Sequence, residues 1–323
     1  MIMKRYFLVA VSVSAMFLSC CGVNSRSEKT EYYSESETTA SVESTTENIT
    51  AETSTEEVTE ELTMFVPEYE GDYGSAGYIT DRTLVVSIFA DDYTSQWNMN
   101  SYEDKMLIAD TLTDMGIAVE WLEENTARYE KGAEFIYDWR KYPELKYETQ
   151  LHGVMVSETA EEFDVQELYL EQNVPSEELK AQFEAENIIY VFFFNTDYEN
   201  TVNSWTFSDS YDPFYAECVN IFLKHDGFDT YPSTYAHEFL HCFGAPDLYY
   251  ENAQIPQYYV EHCEETDCND IMFRTYEGSA VYSDFTELDA YYVGLTDQCD
   301  EVDEWSLGLS DYINWYDLPV TYE

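Results

Sequence analysis

The sequence predicts an α/β domain that follows an export segment and a solvated tether. Two runs, residues 82–90 (RTLVVSIFA) and 188–195 (IIYVFFFN), are rich in β-branched or aromatic side chains and read as buried strands. Between them, residues 101–140 place apolar side chains at three- and four-residue steps, the period of a helix. Strands that alternate with helices bury their apolar surfaces as a sheet covered by helices. With 323 residues, 45% of them hydrophobic, the chain is long enough to build such a core, and no internal repeat divides it.

The elements follow in order. Lys4 and Arg5 precede an apolar stretch at residues 6–18, which is too short for a comfortable permanent membrane span. The stretch ends in FLSCCG and resembles a bacterial lipobox, in which a small residue precedes a lipid-bearing cysteine. Cys20 fits with Ser19 in the small position; Cys21 is the alternative, because Phe17 stands where an aliphatic residue is usual. An ordinary signal peptide with incidental cysteines is the plainer reading. Between Gly22 and Thr63 there are 11 acidic and 2 basic residues amid Ser and Thr, with scarcely any large apolar side chain. Such a segment buries too little to offset its chain entropy, and its like charges extend it. The expected organisation is a lipoprotein signal peptide at 1–20, a disordered tether at 21–63 and a folded domain at 64–323. That places the domain on the extracellular face of a bacterial cell membrane, or secreted.

Charge narrows the partners. The 66 acidic residues against 14 basic ones give a formal net charge of −52. Nucleic acid is excluded, since phosphate binding needs clusters of Lys and Arg. An anionic membrane surface repels such a domain, so any attachment runs through the N-terminal lipid. The acidity serves solubility, or steers cationic segments of a substrate.

Within the folded part, Asp91 and Asp92 close the first strand. The helical region shows Met106, Ala109, Leu112, Met115, Val119 and Leu122 in register, while Gly116 and Gly132 predict breaks that make two or three helices. Residues 151–157 read as a second strand, and 176–186 as a short helix that opens on Ser-Glu-Glu. The run 188–195, apolar on both faces, suits a central strand. Residues 217–224 make another strand, ending at the turn His225-Asp226-Gly227. Beyond Tyr249 the chain is irregular and Tyr-rich until a helix at 286–295. A larger N-terminal subdomain and a small irregular C-terminal one therefore meet near residue 245. Five cysteines lie in this part: Cys218, Cys242, Cys263, Cys268 and Cys299. Cys263 and Cys268 enclose a short acidic loop and form a disulfide or remain free thiols; zinc on cysteines lacks a complementary second pair.

The chemistry concentrates at residues 235–249, YAHEFLHCFGAPDLY. Four residues separate His237 from His241, so on a helix both imidazoles project from one face, a turn apart. Two neutral imidazoles so placed hold one Zn²⁺ at ~2.0–2.1 Å each. Glu238, beside the first, is positioned to take a proton from an attacking water and pass it to a leaving amine. With 5 His and 66 acidic residues, chance supplies roughly 0.02 such matches in a chain of this length. Gly244 ends the helix with a positive φ, and Pro246 forbids its continuation, so the chain doubles back to present Asp247. Two His and one Asp leave an open coordination position, the arrangement of a catalytic zinc.

HEFLHCFGAPD resembles the extended zinc signature HExxHxxGxxD of metzincin-like peptidases, above all the immune inhibitor A and snapalysin types. The similarity covers residues 235–250 and extends more weakly to 270–272 (DIM) and 289–295 (DAYYVGL). It implies a zincin fold with a mixed sheet, a zinc-dependent peptide-bond hydrolase, and protein or peptide substrates. It implies His237, His241 and Asp247 as metal ligands and Glu238 as general base. Met272 would be the methionine whose thioether floors the ligands; a buried gap-filling Met is the plain reading. Tyr276 is a candidate phenol for the oxyanion, with Tyr282 and Tyr249 as alternatives. Most metzincins place His where Asp247 stands, so Glu251 is a fallback ligand, and Glu261, Glu264 or Glu265 would serve in a thermolysin-like site. Cys242 is expected to face the core, and His152, His225 and His262 to be structural or solvated. The competing function is a catalytically inactive surface binding protein on the same fold. No loop carries the EF-hand spacing for calcium.

Overall fold

The computed structural model describes residues 76–129, 132–156, 163–211, 214–252 and 254–308. The expected leader, Cys20, Cys21 and the expected tether lie outside the described residues, which all belong to the unit Thr63–Glu323. The element order is β1 (Arg82–Asp91), α1 (Tyr102–Thr126), β2 (Glu134–Ile136), β3 (Lys146–Gln150), α2 (Phe163–Asn173), α3 (Ser176–Phe183), β4 (Asn187–Phe194), β5 (Trp205–Tyr211) and β6 (Phe214–Phe222). There follow β7 (Lys224–His225), β8 (Phe228–Asp229), α4 (Pro232–Cys242), α5 (Gln257–Thr266), α6 (Glu287–Tyr292) and α7 (Asp300–Trp305). No described helix is long and apolar enough to cross a membrane.

A mostly parallel, mixed sheet of six strands carries the domain. β1 pairs in parallel with β2 at its start and β3 at its end along one edge, and with β4 along the other. β6 continues in parallel beside β4, and β5 closes the sheet as an antiparallel edge strand. Every residue of β4 is buried, as its unbroken apolar run requires. Its alternate side chains serve opposite layers: Phe193 meets Tyr235 of α4, whereas Phe192 meets Tyr169 of α2. Tyr190, on the Phe192 side, shares a hydrogen bond of 2.6 Å with Ser176 at the start of α3. The sheet is therefore covered on both faces, and each large side chain so buried contributes roughly 1.5–3 kcal/mol.

α1 packs on α4 and buries Leu112, Met115, Ala118, Val119 and Leu122. Ser101 caps it by accepting from the Asp104 N–H at 2.9 Å, with Glu103 and Asp104 in the first turn. The helix is continuous, so the expected break at Gly116 does not occur. A Cβ there would lie 3.0 Å from the Tyr137 hydroxyl, which makes Gly116 a site of close approach rather than a stop. Gly132 lies past the helix end. The strand expected at 151–157 is also corrected. The pairing strand is the preceding, more polar β3, and residues 151–156 form a loop held by Asp91 and Asp92. The Leu151 N–H reaches the Asp91 carbonyl at 2.7 Å, and the Met155 and Val156 N–H groups donate to the Asp92 carboxylate at 2.7 and 3.2 Å. β5 and α2 are elements that the apolar pattern did not announce.

The expected strand at 217–224 begins earlier as β6, and the helix at 286–295 is the shorter α6. Thr286 caps α6 in a capping box with Asp289. Beyond Cys242 the described chain adds no strand to the main sheet; it forms short helices, turns and one isolated bridge between Asp270 and Asp284.

Candidate metal centre

α4 brings the predicted residues together. Pro232 stands at its first position, where a missing N–H costs nothing, and Ser233 ties the helix to the Tyr276 carbonyl at 2.8 Å. His237 and His241 project from one face with ring centroids 4.6 Å apart. The helix ends in a Schellman motif around Gly244, whose φ is 104°. The Gly244 N–H bonds the His241 carbonyl at 3.0 Å, and the Ala245 N–H bonds the Leu240 carbonyl at 3.1 Å. Turned back by this cap, the chain delivers Asp247 to the two histidines.

Asp247 Oδ1 lies 3.2 Å from His237 Nε2 and 3.2 Å from His241 Nε2, and the two Nε2 atoms are 3.1 Å apart. These are the edges of a nearly equilateral triangle. Atoms so spaced, each ~2.05 Å from a common centre, subtend about 100° there, close to tetrahedral. The other ring nitrogens are committed: His237 Nδ1 bonds the Ile271 carbonyl at 3.0 Å, and His241 Nδ1 the Ala245 carbonyl at 2.7 Å. A carbonyl only accepts, so each Nδ1 carries a proton, and Nε2 is the ring atom that each histidine can offer to a metal. Asp247 Oδ1 is buried and has no hydrogen-bond donor. Three atoms that can each offer a lone pair to a metal thus face one another. A proton relieves one of these contacts; a divalent cation relieves all three. The donor set, two imidazoles and a carboxylate with outer carbonyls fixing the rings, fits zinc.

The electrostatics of the protein alone draw a proton to the same cluster, for which a metal would compete. Burial presses the His241 imidazolium down, but the Asp247 and Glu238 carboxylates and the Ala245 carbonyl outweigh it and hold its pKa at about 9. Burial pushes the Asp247 carboxyl up, yet the two imidazoles hold it well below the usual carboxylate range. Burial raises the Glu238 carboxyl, against the lowering pull of both histidines and of Thr206. Thr206, on edge strand β5, places its hydroxyl 2.8 Å from Glu238 Oε2 and 3.0 Å from the Glu238 carbonyl. A buried base, oriented by one hydroxyl beside a cluster of ligands, is equipped to accept a proton from water.

Among the described residues, His237, His241 and Asp247 form the one group of three or more His, Cys, Asp or Glu side chains converging as metal ligands. Glu251, Glu261, Glu264 and Glu265 are exposed and join no such group. His152 is exposed, His225 sits half-buried on β7, and His262 packs against Trp305 at 4.3 Å. Met272 is buried; its N–H donates to Asp270 at 2.7 Å, and its carbonyl accepts from Leu248 at 3.0 Å. It therefore lies between Ile271, which holds His237, and the residue after Asp247. Cys242 faces the core, with burial holding it as a thiol, and its Sγ donates to the Glu238 carbonyl at 3.5 Å.

Of the three tyrosines named for the oxyanion, Tyr276 is engaged with Arg274, whose guanidinium lies 6.0 Å from its ring centre. Tyr282 is exposed. Tyr249, although 49% exposed, is the tyrosine brought to the centre: its ring stacks on His237 at 6.3 Å. Partial desolvation of that phenol, with the Asp247 and Glu238 carboxylates nearby, raises its pKa well above the ordinary value. Thr206 and the carbonyls of Ile271 and Ala245 were not singled out from the sequence. A hydroxyl from a distant strand carries no local signal, and a backbone acceptor carries none in any side chain. No family model matches the chain, and no curated protein matches it.

Proposed function

We propose that the chain is a zinc-dependent endopeptidase of the metzincin-like zincin class, acting outside the cell. The observation that carries this reading is the triangle of His237 Nε2, His241 Nε2 and Asp247 Oδ1 with Glu238 buried beside it. His237 and His241 on α4 and Asp247 beyond the Gly244 turn would hold the metal, which would polarise a scissile carbonyl and acidify water. Glu238, held by Thr206, takes the proton of the attacking water and delivers it to the departing amine. The Tyr249 phenol donates to the oxygen on which negative charge develops. Edge strand β5 supports an extended peptide substrate, since no described strand pairs with its outer edge and Thr206 ties it to the general base. The lipobox-like Cys20 and the acidic tether support display on the cell surface.

The test is cleavage of a broad peptide library by the zinc-loaded full chain and by Glu238→Gln. Cleavage by the wild type, lowered ~10²–10⁴-fold in a Glu238→Gln chain that still holds zinc, is the expected result. A wild type that holds zinc and cleaves nothing overturns the enzyme reading in favour of a binding protein.

A further inference from the structure

Cys263 and Cys268 are not used by the proposed mechanism, yet the fold sets them against each other. α5 ends in a second Schellman motif: the Cys268 N–H bonds the Cys263 carbonyl at 2.9 Å, and the Asp267 N–H bonds the Glu264 carbonyl at 3.3 Å. Asp267, at φ 52°, makes the left-handed step between them. In this motif the two residues joined by the outer bond bring their side chains together, ordinarily as a small apolar contact. Here both positions hold cysteine. The two are free thiols, and each shifts the titration of the other. Cys263 is buried, at 1% exposure, whereas Cys268 is half-buried and reachable.

We propose that Cys263 and Cys268 are a redox-modification site, a dithiol that exchanges with a small-molecule disulfide to form an intrachain cross-link closing the end of α5. The roles follow from placement. The Cys263 thiol and the Asp270 amide lower the pKa of Cys268, while the neighbouring Cys268 and burial raise that of Cys263. The Cys268 thiolate attacks one sulfur of the external disulfide, forming a mixed disulfide and expelling one thiolate, which takes up a proton. Cys263 then loses its proton and attacks the Cys268 sulfur, and the second outer thiolate leaves and is protonated. The two protein thiols are oxidised, and one external disulfide is reduced to two thiols. The cross-link fixes the chain just ahead of Asp270–Met272, the turn whose Ile271 carbonyl bonds His237.

The experiment equilibrates the full chain with oxidised glutathione, blocks remaining thiols and digests with a glutamate-specific protease. Glu264 and Glu265 lie between the cysteines, so cleavage separates them unless a disulfide holds the fragments together. A joined pair lighter by two hydrogens is expected, along with a melting temperature roughly 4–8 °C above that of the reduced chain. Cys263→Ser is expected to trap glutathione on Cys268, and Cys268→Ser to carry none on Cys263. Both cysteines recovered as blocked thiols from the folded wild type would overturn the proposal. So would glutathione trapped on Cys263 in place of Cys268, or an oxidised chain that melts no higher than the reduced one.

Discussion

Gly244→Ala isolates the turn that assembles the proposed metal centre. Gly244 sits at φ 104°, a conformation that costs a residue with a Cβ about 1–2 kcal/mol. For a domain of this size that is a fall in Tm of roughly 2–8 °C. The same turn presents the Ala245 carbonyl to His241 Nδ1 at 2.7 Å and carries the chain on to Asp247. Loosening an outer partner of a ligating histidine weakens metal binding by roughly 10–100-fold. Gly227 is the matched control: its φ is 86°, nothing lies within 4 Å of a Cβ placed there, and it turns β7 into β8, outside α4 and the turn that follows it. Gly227→Ala is expected to lose comparable stability and leave zinc affinity unchanged. Thermal unfolding and calorimetric zinc titration of both variants give the two readouts. If Gly244→Ala binds zinc as tightly as wild type, or Gly227→Ala weakens zinc equally, the coupling between the cap and the site is refuted.

Two further perturbations probe the surroundings. Thr206→Val removes a hydrogen bond to a buried carboxylate worth ~1.5–3 kcal/mol, so kcat should drop roughly 10–100-fold with KM and bound zinc unchanged, and Thr206→Ser should restore it. Undiminished turnover, or loss of zinc, would remove Thr206 from its role. Asp289→Asn tests the buried pair beneath the His237 support, where burial raises both the Asp270 and Asp289 carboxyls. Groups raised in the folded state retain protons that the unfolded chain releases, so their ionisation costs stability as pH rises from about 4 upward. The variant should match wild type near pH 4 and melt several degrees higher at pH 8; equal melting at pH 8 would contradict this.

Much of this was legible in the residues themselves. β1 and β4 are apolar on both faces, so burial alone announces them, and the spacing of His237, Glu238 and His241 carries the face they share. Gly244 and Pro246 mark the turn because positive φ and a missing N–H restrict which residues fit. Gly116 misled as a helix break because a glycine required by a neighbour, the Tyr137 hydroxyl, looks in sequence like one required by a turn. Residues 151–156 looked like a strand because Leu151 and Met155 are apolar, but their burial comes from a loop pinned by Asp92, while the pairing β3 is polar. Tyr249 could not be singled out among 30 tyrosines until its ring was placed on His237.

A metal held between His237, His241 and Asp247 is tested most directly by X-ray absorption on the zinc-loaded full chain. The expected spectrum shows one zinc per chain with only nitrogen and oxygen neighbours at ~2.0–2.2 Å, and Asp247→Asn lowers the zinc affinity. A folded chain that takes up no zinc, or a spectrum with sulfur at ~2.3 Å that places the ion on cysteines instead, would contradict it.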